Sequence, residues 1–275
     1  MELLSQLTFL ERGIIAAVII GLICPMVGAF LLVRRISIVS ESLSHITLTG
    51  LSAGILLGQT ITYLHVINPL YFGLVFSLAG SLLIEKLRQI YKHFEELAVP
   101  IILSTGVGLS AIFISLSEGG YNEWYAYLFG SIVSVTLEDL YFIIVTALIV
   151  VIILAVFYKE FVSISFDQEY AKISGISIKK LNFIFSLLIA LVITISMKVV
   201  GILLVGAMVV LPTATSIQMA KSFKQVIGFG VLFAQAAMLI GIYLSYQLDI
   251  ATGGVIVLVA IALLIIVSGV KSLIR

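Results

Sequence analysis

Seven stretches of the chain contain no Asp, Glu, Lys or Arg: 13–33, 97–117, 140–158, 181–197, 199–220, 225–248 and 250–270. A bilayer core of ~30 Å takes about 20 apolar residues per helix. An eighth charge-free run, 42–84, is too long for one span. The polar stretch from Gln59 to Asn68, followed by Pro69, divides it into two. The expected fold is an all-α polytopic membrane protein with eight to nine membrane segments. The segment 199–220 holds Gly201, Gly206 and Pro212, so it is the one expected to be broken or re-entrant. The first run lacks a basic leader and an A-x-A site, and Pro25 sits in its middle. It is expected to be a span and not a cleaved signal.

Only 11% of the residues are charged and 61% are apolar. A typical soluble domain carries about 25% charged residues. This chain has too few polar groups to cover a soluble surface. That excludes a soluble enzyme, a nucleic-acid binder and a disordered protein. Fifteen Lys and Arg against fourteen Asp and Glu leave a net charge of +1, too small for long-range steering. The single cysteine, Cys24, permits no internal disulfide. No polar stretch is long enough for a soluble domain, so residues 1–275 read as one transmembrane domain.

Basic residues set the orientation. Nine alternating segments with the N-terminus outside put thirteen Lys and Arg on one side, among them Arg34, Arg35, Arg88, Lys179, Lys221 and Lys271. The other side keeps only Arg12 and Lys198. The positive-inside rule makes the first side cytoplasmic, C-terminus included. The outer loops carry Glu118, Glu123, Glu138, Asp139 and Asp249, which read as solvated loop residues or as a mouth that favours cations.

Several chemistries have no motif here. There is no G-x-x-x-x-G-K-[ST] phosphate loop, no H-E-x-x-H and no G-x-S-x-G, so no enzyme is expected. The informative stretch runs from Arg34 to Gly50. Glu41 and His45 are four residues apart and share a helix face. At 1.5 Å per residue His45 would lie roughly 15 Å from Arg35, near the midplane. A charge at that depth costs on the order of 2.5–3.5 kcal/mol on the milder insertion scale, so such residues face a cavity, a partner or a pathway. Carboxylate and imidazole together can ligate a first-row cation such as zinc, manganese or iron. Two ligands make an incomplete site, which suits a path that must also release its ion. The spacing equally allows a hydrogen-bonded pair that locks two helices, or a proton relay.

His65 and His93 read as loop residues, Lys198 as an outer-turn lysine snorkelling to the interface, and Cys24-Pro25 as a helix kink. Two stretches on the basic side read as docking elements or as plain interfacial loops. One is a short amphipathic helix with Asp167 as N-cap, Ala171 within it and Gly175 at its C-terminus. The other follows the doubtful span, from Leu211 to Lys224, and includes Pro212, Thr213, Thr215 and Ser216.

Five ordered motifs point to a family. They are Leu32-Val33-Arg34-Arg35-Ile36-Ser37 with Ser42-Leu43-Ser44-His45; Ala126 to Ser131 with Val135 to Leu140; Asp167 to Gly175; Met197 to Thr215; and Ser245 to Asp249 with Gly253-Gly254. Over nearly its whole length the chain resembles the permease subunits of bacterial zinc and manganese ABC importers. The resemblance implies a homodimer in the bacterial cell membrane. It also implies a separate ATP-binding cassette ATPase subunit, an extracellular metal-binding protein that delivers the ion, and no permanently bound cofactor. Glu41 and His45 match the family's ion-path carboxylate and histidine, though the family usually has Asp where this chain has Glu41. Asp167, Ala171 and Gly175, with Pro212, Thr213, Thr215 and Ser216, match its ATPase-coupling regions. Met197-Lys198 and Leu211 to Thr215 look more like the zinc branch, so zinc is the expected cargo and manganese or iron the alternative. Two readings of other classes stand beside this one: an ion-coupled secondary carrier acting alone, and a membrane scaffold.

Overall fold

The computed structural model describes residues 7–64, 66–91, 94–117 and 121–274. His65, His93 and Glu118 lie outside them. Twelve α-helices follow in order: α1 Phe9–Val33, α2 Ile38–Thr60, α3 Pro69–Ile90, α4 Ala98–Leu116, α5 Tyr121–Phe129, α6 Leu137–Val156, α7 Tyr158–Phe166, α8 Gln168–Ile173, α9 Ile178–Val200, α10 Ile202–Met219, α11 Phe223–Leu248 and α12 Thr252–Ile274. Eight long helices are apolar enough to cross a membrane: α1, α3, α4, α6 and α9 to α12. The ninth long helix, α2, spans 23 residues and is the polar one. The chain is an all-helical, multi-pass membrane protein.

Helix α2 is polar because it is central. Ser40, Ser42, Ser44, Thr47, Thr49 and Ser52 are all fully buried. Four of them turn back on their own helix; Ser44, for example, donates to the Ser40 carbonyl at 2.9 Å. Ser42 donates to the Val99 carbonyl, and Thr49 to the Gly106 carbonyl as well as to that of His45. Small hydroxyl side chains satisfy themselves without water and let backbones approach closely, as packing in lipid requires. Helices α3 and α4 lie against α2 most extensively, and α9 and α10 complete its enclosure.

The break expected in 199–220 falls at its first residues. Helix α9 ends at Val200 and α10 begins at Ile202, with Gly201 alone between them. Gly201 has φ +88° and ψ 150°, a conformation open in practice only to glycine. A Cβ there would lie 2.5 Å from the Gly130 nitrogen. Beyond Gly201, α10 continues unbroken through Pro212 to Met219. The two helices run in opposite senses. Lys198 lies beside Ser131 at one end of the bundle, while Asn182 meets Arg34 at the other.

An aromatic cluster ties the Arg34 end together. Phe30 of α1 makes edge contacts with Tyr158 and Phe161 of α7, Phe185 of α9 and Phe223 of α11, with ring centroids 4.9 to 6.2 Å apart. Such pairs contribute about 0.5–1.5 kcal/mol each beyond burial. They hold α1, α7, α9 and α11 in one frame.

Candidate metal site

Glu41 lies in the first turn of α2 and His45 in the second. Glu41 Oε1 is 3.6 Å from His45 Nε2. That is too long for a hydrogen bond and close enough for one cation to touch both. A carboxylate in the first turn also meets the positive end of the helix dipole. The Glu41 side chain is 40% exposed and that of His45 14%, whereas the α2 residues around them are buried. The pair therefore opens outward from an otherwise enclosed helix. Arg35 to Ser37 form a turn, so helical rise starts only at Ile38. His45 stands about 10 Å along α2 from Ile38.

Two glycines that the sequence reading did not assign to the site shape its walls. Across from Glu41, α10 presents Gly206, where a Cβ would lie 2.5 Å from Glu41 Oε2. Behind His45, α4 presents Gly106, where a Cβ would lie 2.9 Å from the His45 backbone carbon. At Gly106 the obstacle is backbone, so no side chain fits; at Gly206 it is the end of the Glu41 side chain, which would have to move. Only the proximity of α2 to α4 and α10 reveals them. No group of three or more His, Cys, Asp or Glu able to hold a metal occurs among the described residues. The pair is thus an incomplete ligand set within one chain.

At the opposite end, Asp139 and Lys198 correct two expectations. Asp139 is fully buried and not a solvated loop residue. It pairs with Lys198 Nζ at 3.2 Å, so that lysine does not snorkel. Asp139 also accepts from Asn68 Nδ2 at 2.9 Å and closes a capping box with Thr136. Lys198 lies 5.1 Å from the Tyr127 ring centroid. Glu138 and Asp249 remain exposed. Cys24 is buried, with its sulfur 3.2 Å from Ser196 Oγ, inside an uninterrupted α1.

The two candidate coupling stretches differ. Asp167 caps α8 by accepting from the Tyr170 amide at 2.9 Å. Gly175, at φ +80°, closes the other end, where Ile176 N–H bonds the Ala171 carbonyl and Gly175 N–H bonds that of Lys172. Ala171 is buried and anchors the helix, while Tyr170 and Ile173 project outward, Ile173 86% exposed. Pro212, Thr213, Thr215 and Ser216 are instead buried inside α10. Their hydroxyls bond to carbonyls within that helix. The exposed part of that stretch is its end, with Ile217 and Met219.

Residues 6–271 match the ABC 3 transport family. A "Probable metal transport system membrane protein" of Treponema pallidum is 31% identical over 95% of both chains. The "Manganese transport system membrane protein MntC" of Listeria monocytogenes is also 31% identical, over 94% of this chain and 90% of that protein. Among solved structures, "PsaBC from Streptococcus pneumoniae in complex with Fab" superposes with a TM-score of 0.84 at 26% identity, covering 96% of this chain and 92% of that one.

Proposed function

The chain belongs to the ABC 3 transport family, and on that premise we propose that it is the membrane-spanning permease of an ATP-driven importer of a divalent first-row metal ion. Glu41 and His45 give the ion its station. The observation that carries this reading is the half-open carboxylate–imidazole pair on an otherwise buried polar helix. Oxygen and nitrogen donors at this separation suit manganese, iron and zinc alike.

Manganese is the leading cargo. The zinc preference read from Met197-Lys198 and Leu211 to Thr215 has no support among the relatives described above, and the one whose name states a metal is a manganese system. A pair of ligands in each chain is completed by a second copy, whose pair adds two more donors. This supports a homodimer with the site at its interface. Two-ligand binding from each side is weak enough to release.

ATP is consumed by a separate cassette subunit, and α8 is the element that receives its motion. Tyr170 and Ile173 form the contact, and the buried Ala171 transmits the push to the bundle. The end of α10 lies next in line. Pro212, Thr213, Thr215 and Ser216 act from inside the bundle, relaying movement along α10 to Gly206 and Glu41. An extracellular metal-binding protein delivers the ion, and the Lys198-bearing end faces outside. The test is uptake of radioactive manganese into cells carrying the complete transporter. Loss in Glu41→Ala/His45→Ala at normal membrane abundance supports the site, and unchanged uptake refutes it.

A further inference from the structure

A cavity of about 930 Å³ opens at the Arg34 end, between the α1–α2 turn, α3, α8 and α9. Arg34, Arg35, Arg88 and Lys179 border it, with Glu85, Glu95 and Glu96. It is separate from the metal site. Val39 lines it, and Val39 and Glu41 are about 200° apart around α2.

Three features set the cavity apart from an ordinary charged rim. First, among the described residues the ion pairs are Glu41–His45 and Asp139–Lys198, so none of these four cations has a carboxylate within 4.0 Å. Second, Arg34 Nη2 and Arg88 Nε are shielded from water and make no hydrogen bond. Arg34 is nonetheless held rigidly. Its Nε donates to Ser165 Oγ at 2.9 Å, its Nη1 donates to Asn182 Oδ1 at 3.2 Å, and its guanidinium stacks 4.3 Å from the Phe185 centroid. Third, Arg35 sits at φ +57°. It closes α1 in a turn where Ile36 N–H bonds the Leu31 carbonyl and Arg35 N–H bonds that of Leu32. Glycine is the cheap residue there, and an arginine in that conformation is strained. Strain of this kind accumulates at ligand sites.

We propose that this cavity binds the glycerol-phosphate headgroup of an anionic phospholipid. The phosphate sits among Arg34, Arg35, Arg88 and Lys179. The headgroup hydroxyls donate to Glu85, Glu95 or Glu96. Basic pockets between helices on the cytoplasmic side of a membrane bind such headgroups, and the basic-residue count places this end there. Gln168 of α8 borders the same cavity, so an occupied headgroup braces the helix proposed to receive the ATPase.

The test uses the full-length chain in neutral detergent, followed by thermal unfolding. Dihexanoyl phosphatidylglycerol is expected to raise the midpoint saturably, whereas dihexanoyl phosphatidylcholine leaves it unchanged. Arg88→Gln/Lys179→Gln is expected to raise the half-saturating concentration roughly tenfold or more, and Arg88→Lys to restore most of it. If the double variant unfolds unaided, Arg35→Gln replaces it and is expected to weaken binding in the same direction. Glycerol 3-phosphate separates the sources. If it is inactive the site takes membrane lipid, and if it acts alike the headgroup suffices. No saturable response to either compound, an equal response to phosphatidylcholine, or variants that bind like the wild type would overturn the proposal.

Discussion

Glu41 of α2 reaches across to Gly206 of α10 so closely that a methyl group on Gly206 would lie 2.5 Å from its Oε2. The carboxylate occupies the space that the glycine leaves. Gly206→Ala is expected to push the Glu41 carboxylate off its station. Displacing a residue that positions a metal ligand typically costs 10–100-fold in affinity. Manganese uptake should therefore fall about tenfold or more while membrane abundance stays normal. Gly206→Ala with unchanged uptake would show that Glu41 can ligate from elsewhere.

The Asp139–Lys198 pair predicts a non-additive pattern. Asp139 is fully buried and Lys198 Nζ is 3.2 Å away. Removing one partner leaves a buried charge alone, at a cost of about 3–5 kcal/mol, whereas removing both is far milder. Asp139→Asn and Lys198→Met should each lower the thermal midpoint in detergent more than the double substitution does. Additive losses would mean that the two charges do not interact.

Ile173 is 86% exposed on α8 and contributes little to folding. Ile173→Asp should leave the unfolding temperature within error, because surface changes of this sort stay near ±0.5 kcal/mol. Stimulation of the cassette subunit's ATP hydrolysis by the permease should be largely lost. Retained stimulation would move the coupling contact to another element, with the exposed end of α10 the next to test.

Burial pushes the Arg34 guanidinium down to about 10, with nearby Glu85 opposing the shift. The ordinary guanidinium value is higher. Between these values the unfolded chain binds the proton more readily than the folded one, so this group's contribution to stability rises with pH there. Below about pH 9 both states keep the proton and the contribution is flat. Replacing Arg34 by Gln should therefore shift the unfolding midpoint by the same amount at pH 6 and pH 8. A difference that changes across that interval would contradict the assignment.

Much of the architecture was legible because charge is so costly in lipid that its absence marks the spans. The short helix from Asp167 to Gly175 was legible too, because its capping residues act locally. The burial of Asp139 was missed because its partner, Lys198, lies 59 positions away in sequence and the two meet only through tertiary packing. The same reason hid Gly206, which faces the Glu41 carboxylate, and Gly106, which faces the His45 backbone. The residues from Pro212 to Ser216 looked exposed because threonine and serine are polar, yet inside a helix each hydroxyl can bond to a carbonyl of the preceding turn. Cargo is the least legible feature, since a carboxylate and an imidazole serve manganese and zinc equally.

The central claim is that Glu41 and His45 form the ion's station in an ATP-driven metal importer. Its most direct test is uptake of radioactive manganese by cells carrying the complete transporter, with and without excess zinc. Wild type, Glu41→Ala/His45→Ala and Glu41→Asp would be compared at matched membrane abundance. The account predicts ATP-dependent manganese uptake that resists zinc, collapses in the double substitution and survives in part with Glu41→Asp. Uptake of zinc in place of manganese would overturn the cargo and leave the site standing. Undiminished uptake in the double substitution would contradict the site itself.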